Sequence, residues 1–451
     1  MATRMSDARM YGHLWTAPEL SDVFDERSRV ATWLRILQAL ARAQAGLGII
    51  PADAAQTIGT VRAEDLDLEL VAEQTRATSH STLGLIRGLQ AVLPDGVDQW
   101  VYYGATVQDI SDTWFGIVMR DVADLVSSRL DAIARTVLDL AELHRDAVQL
   151  GRTHGQPGSA ITFGYKAASW GDELARHRQR LDEGRPRWAV GQLAGAVGVL
   201  GFFGGRGLDL RAAFCAELGL ADPGISWTTS RDRIAEFANV HAMICSTLAR
   251  IGNEVYELQR SEIGELREPR SASGVGSITM PHKRNPESSE HLVTLARLVR
   301  AQAGLLLEGI EQQHERDGRG WKVEWLALPE VCELTVVALS TALGVVTGLD
   351  VDTDAMQRNI RAAGLSAYSE QVLVELSARL GKHRAQAMLQ DLLARGDDGK
   401  PIDERLANAV NAVASHDLSP AEVGEWLSRP RTGSAAAMVD AVLSRARGNR
   451  R

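Results

Sequence analysis

Cysteine, proline and lysine are all scarce in this 451-residue chain. The three cysteines (Cys215, Cys245, Cys332) are widely spaced in apolar surroundings. That excludes a disulfide framework and a cysteine-based metal cluster, and reads as buried packing in a reducing compartment. Thirteen prolines leave long stretches uninterrupted, which together with abundant Ala, Leu, Glu and Arg predicts mostly helix. Only five of the 49 basic residues are lysines, a bias of the genome and not a functional signal. No uninterrupted apolar run approaches the roughly 18 residues of a membrane span, and the N-terminus lacks a basic-then-apolar signal pattern. No membrane partner is expected, and the expected compartment is the cytoplasm. The net charge of −9 argues against nucleic acid or an anionic membrane as partner, so an anionic substrate must be met by local groups.

What is present is ordinary for a globular protein, with 45% apolar and 24% charged residues and enough length for two or three domains. Apolar residues at helical spacing predict helices over 26–47, from Asp65 into Thr75, and from about Asp109–Asp112 to Leu150. Further helices are predicted over 161–183, 231–259, 287–312 and 324–347. In the 231–259 helix Phe237, Val240, Ile244, Leu248, Ile251, Val255 and Leu258 form one stripe, a core seam. Long helices with single stripes joined by short breaks predict an all-α bundle. The expected organisation is three helical domains: 1–110, a central long-helix domain 111–351, and a small C-terminal domain 352–451. The basic tail 444–451 is expected to be disordered.

One loop, residues 271–286, gathers unusual chemistry. Gly274 and Gly276 free the backbone, and Ser277, Lys283 and Asn285 follow with Pro281 and Pro286. Asn285 is a candidate cap and Pro286 a candidate first residue of the next helix, which would aim a helix dipole and Lys283 at the loop. A serine acts as a base only where its alkoxide is stabilised, and amides, a cation and a helix end supply that. The same groups suit a carboxylate. A P-loop is disfavoured, because no Gly-Lys-Ser/Thr follows the glycines. From spacing alone, an ordinary surface loop remains an equal alternative.

The segment GSITMPHKRNP resembles the signature loop of the fumarase/aspartase superfamily, usually Gly-Ser-Ser-x-Met-Pro-x-Lys-x-Asn-Pro. The resemblance implies that Ser277 is the base that removes a proton next to a carboxylate, while Lys283 and Asn285 hold that carboxylate. Ile278 departs from the pattern, where many members carry a second serine. Thr78-Ser79-His80-Ser81-Thr82 reads, on residues alone, as a helix cap with an incidental histidine. It also resembles the Thr-x-His segment of adenylosuccinate lyases, which makes His80 a catalytic candidate. Thr106 and Gln108 in Tyr103–Asp109 resemble the Gly-x-Thr-Ser/Thr-x-Asp segment that binds a substrate carboxylate, with Val107 replacing a hydroxyl. Gly151-Arg-Thr-His-Gly-Gln-Pro157 reads as a break at a helix junction, where side chains face clefts. It resembles the Gly-Arg-Thr-His segment that carries the general acid of adenylosuccinate lyases, here His154. The same resemblance puts Thr78, Ser79, Thr153, Gln156 and Arg316 among the substrate-binding candidates. It further implies a homotetramer with a central bundle of twenty helices and active sites each built by three subunits.

The stretch from His314 to Trp325 narrows the branch. Its opening HERD is shared with adenylosuccinate lyases, but Trp321 and Trp325 stand where nucleotide-phosphate ligands are expected, and indole has one donor and no charge. The Trp-x-x-x-Trp form resembles 3-carboxy-cis,cis-muconate cycloisomerases, which lack the histidine that this chain keeps. Ser230 also departs from the glutamine common to both branches. The expectation is therefore a small di- or tricarboxylate substrate and anti β-elimination of an amine, nitrite or similar group, with fumarate released. Alternatives are a lactonising cycloisomerase, adenylosuccinate lyase and a non-catalytic member of the fold. No metal or organic cofactor is implied, since no His-Glu-x-x-His occurs.

Overall fold

A computed structural model of the chain describes residues 4–80, 82–270, 279–280, 282–395, 399–413 and 417–448. The protein is mostly helical, and the proline-poor stretches form the long helices Val107–Leu143, Phe163–Trp188, Asp232–Gln259, Glu287–Glu308 and Gly318–Thr347. Contacts divide the chain into two compact units. The first comprises Met1–Leu130, Arg176–Ala249 and Leu292–Thr341, and the second Asp131–Ala175, Arg250–His291 and Ala342–Arg451.

In the first unit, helix Glu26–Gly46 begins where the Asp25 carboxylate accepts the amides of Arg27 and Ser28, at 2.9 and 3.2 Å. It ends before Gly48, whose φ of +64° favours glycine. Its inner face buries Val30, Leu34, Ile36, Leu37 and Leu40. Phe237, Val240, Ile244 and Leu248 are buried here as the stripe requires, and Ile251, Val255 and Leu258 are buried in the second unit. Helix Phe163–Trp188 runs past its expected end at Glu183 and through Pro186. Trp188 is fully buried over Gly184, where any Cβ would collide with the indole, and that packing carries the helix onward. Helix Gly318–Thr347 is long and apolar enough to cross a membrane, but 61% of its most apolar window is buried inside the protein, which makes it a core helix.

In the second unit the departure from an all-α fold is an antiparallel hairpin, β1 (Val148–Thr153) and β2 (Gln156–Thr162), where a helix junction was expected. Two features drive it. Val148, Leu150, Ile161 and Thr162 suit a half-buried strand, and His154-Gly155 forms a two-residue turn with φ of 52° and 74°. Positive φ at both central residues is the type I′ pattern, whose twist matches that of the flanking strands. A register shift between Leu150 and Arg152 bulges β1 at Gly151. A second short pair, β3 (Leu266–Arg267) with β4 (Asp350–Val351), precedes C-terminal helices packed around Leu376, Leu406, Val410 and Val423.

His241, on the Asp232–Gln259 helix, makes the fold acid-sensitive. It is fully buried, its Nδ1 lies 2.7 Å from the Phe237 carbonyl oxygen, and its Nε2 has no partner. Burial lowers its pKa from 6.5 to about 4 despite that bond. Because the unfolded state takes up the proton first, its contribution to stability is complete above pH 6.5 and is lost as pH falls towards about 4. The loss reaches about 1.4 kcal/mol per pH unit. Urea unfolding of wild type and His241→Leu across that window checks this: the difference between the two profiles should carry the slope, separate from the other titrating groups.

Candidate active site

In the second unit the hairpin tip presents Thr153, His154 and Gln156 together. Thr153 pairs with Gln156 across the turn, and all three are exposed. Below the tip, the Arg152 guanidinium forks onto the Glu265 carboxylate, Nη1 to Oε2 at 3.0 Å and Nη2 to Oε1 at 2.7 Å. The Glu265 side chain is fully buried and also accepts from Asn359 Nδ2 at 2.7 Å.

The other candidates of this unit flank residues 271–278. Ser277 lies outside the described residues, as do Gly274, Gly276, Ile278 and Pro281. Lys283 is exposed, with its amide donating to the Met280 carbonyl at 2.9 Å, and Asn285 is half-buried. The helix start differs from the expected one. Pro286 is the capping residue, since its carbonyl accepts the Glu290 amide, and the helix begins at Glu287. The free amides of Ser288 and Ser289 go to Glu268 and not to Asn285, at 3.3 Å to Oε2 and 2.5 Å to Oε1. The anion favoured at this helix end is therefore the protein's own buried carboxylate.

In the first unit, helix Leu68–Thr78 ends with Thr78 Oγ1 donating to the Gln74 carbonyl and Ser79 in the left-handed region, φ 53°. This turn leaves His80 exposed. Thr106 and Gln108 open the Val107–Leu143 helix and are both buried. The Gln108 Nε2 donates to Asp112 Oδ2 (3.0 Å) and to the Thr228 carbonyl (2.9 Å), while its Oε1 is buried without a partner. Asp109 is fully buried and accepts the amides of Thr106, Ala194 and Gly195 at 2.9, 2.8 and 3.2 Å. Burial raises its pKa to about 7 against those three donors. Arg316 Nη2 donates to the Gly195 and Ala196 carbonyls, at 3.4 and 3.0 Å. Arg316 and, through Asp109, Thr106 are thus gathered around the segment Ala194–Ala196.

Sequence reasoning missed the buried charges that frame this region. Arg231 is fully buried and forks to Asp112 (2.8 and 3.0 Å) and to Glu324 (2.8 and 2.5 Å), with its guanidinium 4.9 Å from the Trp227 ring centre. Two buried carboxylates share one guanidinium, so burial raises Glu324 to about 7 against the pull of Arg231. Glu324 lies between Trp321 and Trp325, whose rings meet edge to face at 4.8 Å and whose buried indole N–H groups have no partner. Among the described residues, no group of three or more His, Cys, Asp or Glu is placed to hold a metal ion.

Residues 14–301 match a family model described as a lyase. The chain is 35% identical to an N-acetyl-S-(2-succino)cysteine lyase of Dickeya dadantii over 99% of both chains. It is also 35% identical to a 3-carboxy-cis,cis-muconate cycloisomerase of Pseudomonas aeruginosa, over 98% of this chain and 97% of that one. The crystal structure of a fumarate lyase from Mesorhizobium sp. BNC1 superimposes with a TM-score of 0.84 at 31% identity, covering 95% of this chain and 98% of the other. With the signature loop, the hairpin histidine and this end-to-end similarity, the chain belongs to the lyase family of the fumarase/aspartase superfamily.

Proposed function

We propose that the chain cleaves the C–S bond of a 2-thiosuccinate, a succinate carrying a sulfur substituent of the S-(2-succino)cysteine type, and releases fumarate and a thiol. The observation that carries this reading is the full-length similarity to an N-acetyl-S-(2-succino)cysteine lyase. Trp321 and Trp325 support it, because indole offers a nucleotide phosphate one donor and no charge.

The reaction is an anti β-elimination. Ser277 takes the proton from the carbon beside one carboxylate, and the C–H electron pair becomes the C=C bond. The C–S pair leaves with sulfur, and His154, assisted by His80, protonates the thiolate. Lys283, Asn285 and loop amides hold the carboxylate as it becomes doubly charged, which is the largest catalytic contribution because the carbon is so weakly acidic. Thr106, Gln108 and Arg316 hold the second carboxylate, and Thr78, Ser79, Thr153 and Gln156 orient the substrate. His80, His154 and Lys283 are all exposed in the single chain, whereas this chemistry needs a water-poor site. That supports assembly of each site from several subunits of a homotetramer.

A panel of 2-substituted succinates bearing sulfur, amino, alkylamino, hydroxyl and nitro groups, with 3-carboxymuconate alongside, tests the reading by ultraviolet detection of fumarate. The thioether should show a kcat/KM about 100-fold or more above the others. The Trp321/Trp325 pair favours one second reading, the lactonising cycloisomerase, and loss of diene absorbance without fumarate would establish that instead.

A further inference from the structure

We infer that the short segment from Gln259 to Glu268 is an anchor that sets two catalytic elements independently. Glu265 positions the hairpin that carries His154, and Glu268 positions the stem of the loop that carries Ser277, Lys283 and Asn285. The inference rests on the elimination mechanism above for the roles of the two elements, and on the geometry of the second unit for everything else.

The segment is itself fixed. The Glu265 amide donates to the Leu258 carbonyl at 2.9 Å, the Glu265 carbonyl accepts the Asp352 amide at 3.0 Å, and β3 pairs with β4. Leu266 is fully buried. A carboxylate projects on either side of that short strand. Glu265 takes both forks of Arg152, two residues before His154 and beside the bulge at Gly151. Asn359 holds Glu265 from behind, donating to Oε1 at 2.7 Å and to the Ile263 carbonyl at 2.9 Å.

Glu268 reaches the other element. Its carboxylate takes the amides of Ser288 and Ser289, and its own amide donates to Gln259 Oε1 at 2.7 Å. Gln259 Nε2 donates to the Arg284 carbonyl at 3.1 Å, and the Arg284 guanidinium donates back to the Glu268 carbonyl. The residue before the loop and the residues after it are thus tied to one point, directly around Lys283 and Asn285.

Buried carboxylates are poor devices for stability, because well-packed apolar residues do as well or better. Their use here is directional. A forked guanidinium–carboxylate pair fixes an angle, and a carboxylate on two successive helix amides fixes the helix end. A displacement of about 1 Å in a catalytic group costs about 100-fold in rate.

The two variants Glu265→Gln and Glu268→Gln separate the roles through a leaving-group series, 2-(alkylthio)succinate against 2-(arylthio)succinate. An arylthiolate leaves without a proton, so a hairpin that misplaces the acid harms the alkyl substrate more than the aryl one, whose loss reports only Thr153 and Gln156. Glu265→Gln should lower kcat only a few-fold on the arylthio substrate and by up to about a further 10-fold, the whole loss expected for His154→Ala, on the alkylthio one, with KM little changed. Glu268→Gln should lower kcat about equally on both, because proton removal precedes or accompanies every departure. Hydrogen exchange read by mass spectrometry supplies the arm that needs no turnover. Protection should be lost at 148–162 in Glu265→Gln alone and at 284–290 in Glu268→Gln alone. Equal kinetic losses in both variants on both substrates, or exchange that rises across both elements together, would overturn the anchor. If either variant fails to fold, Arg152→Lys and Gln259→Leu carry the same two comparisons. Wild type inactive on every thioether overturns the proposed function and not the anchor, which the exchange measurement then decides.

Discussion

Arg231→Ala is expected to destabilise the protein by about 3–5 kcal/mol, the largest loss for any single substitution away from the chemistry. The side chain is fully buried and makes four charge-assisted bonds, two to each of Asp112 and Glu324. Removing it leaves two carboxylates in the interior with no counter-charge, and the cost is chiefly their stranded burial and not the lost attraction. Lysine should not rescue, because one ammonium cannot fork to two carboxylates. Replacing all three with leucine or methionine should recover most of the loss, since the apolar triad strands nothing. Urea denaturation of Arg231→Ala, Arg231→Lys and the triple variant checks the ordering, and a triple variant as unstable as the single one would refute the stranded-charge account. Activity should not return with stability: Asp112 also accepts Gln108 Nε2, so the apolar triad loses the partner that orients that amide.

How much of this was legible in the sequence depends on how local each signal is. The long helices were, because an apolar stripe repeats every three or four residues and every stripe residue of the Asp232–Gln259 helix is buried. The hairpin was not. Gly151 to Pro157 has too few alternating residues to show a period of two, and a histidine at φ 52° gives no turn signal of the Asn-Gly kind. The helix cap was sought beside the helix, in Asn285, but is supplied by Glu268, 20 residues before the Ser288 amide that it accepts. The buried triad joins residues 119 and 93 positions apart, which only the fold brings together. The superfamily was readable from GSITMPHKRNP, because an ordered motif survives without context. The leaving group was not, and the thiol proposed above was not named beside the amine and nitrite of the sequence reading. Departing sulfur and departing nitrogen call for the same base, the same cation and the same carboxylate contacts, so no residue type marks the difference.

That difference is readable in kinetics. Ser277→Ala is expected to lower kcat on a 2-thiosuccinate by about 1000-fold or more, the upper range for losing a general base. His154→Ala should lower it by only about 10-fold. The asymmetry follows from the two bonds that break. The proton taken by Ser277 sits on carbon beside a carboxylate, and nothing in water removes it at a useful rate. The thiol has a pKa near 8.5, so its anion departs at neutral pH with little help. An alkylamine, with a pKa about 10.4, arrives already protonated and leaves neutral, whereas a hydroxyl, the conjugate base of water with a pKa of about 15.7, must be protonated as it leaves. On 2-hydroxysuccinate, His154→Ala should therefore lower kcat by about the same factor as Ser277→Ala. The measurement is the ratio of the two losses on each substrate. Equal losses on the thioether would mean that proton delivery to sulfur is as demanding as proton removal from carbon, and would move the assignment to a hydroxyl leaving group. A mild Ser277→Ala on both substrates would remove the base from that serine altogether.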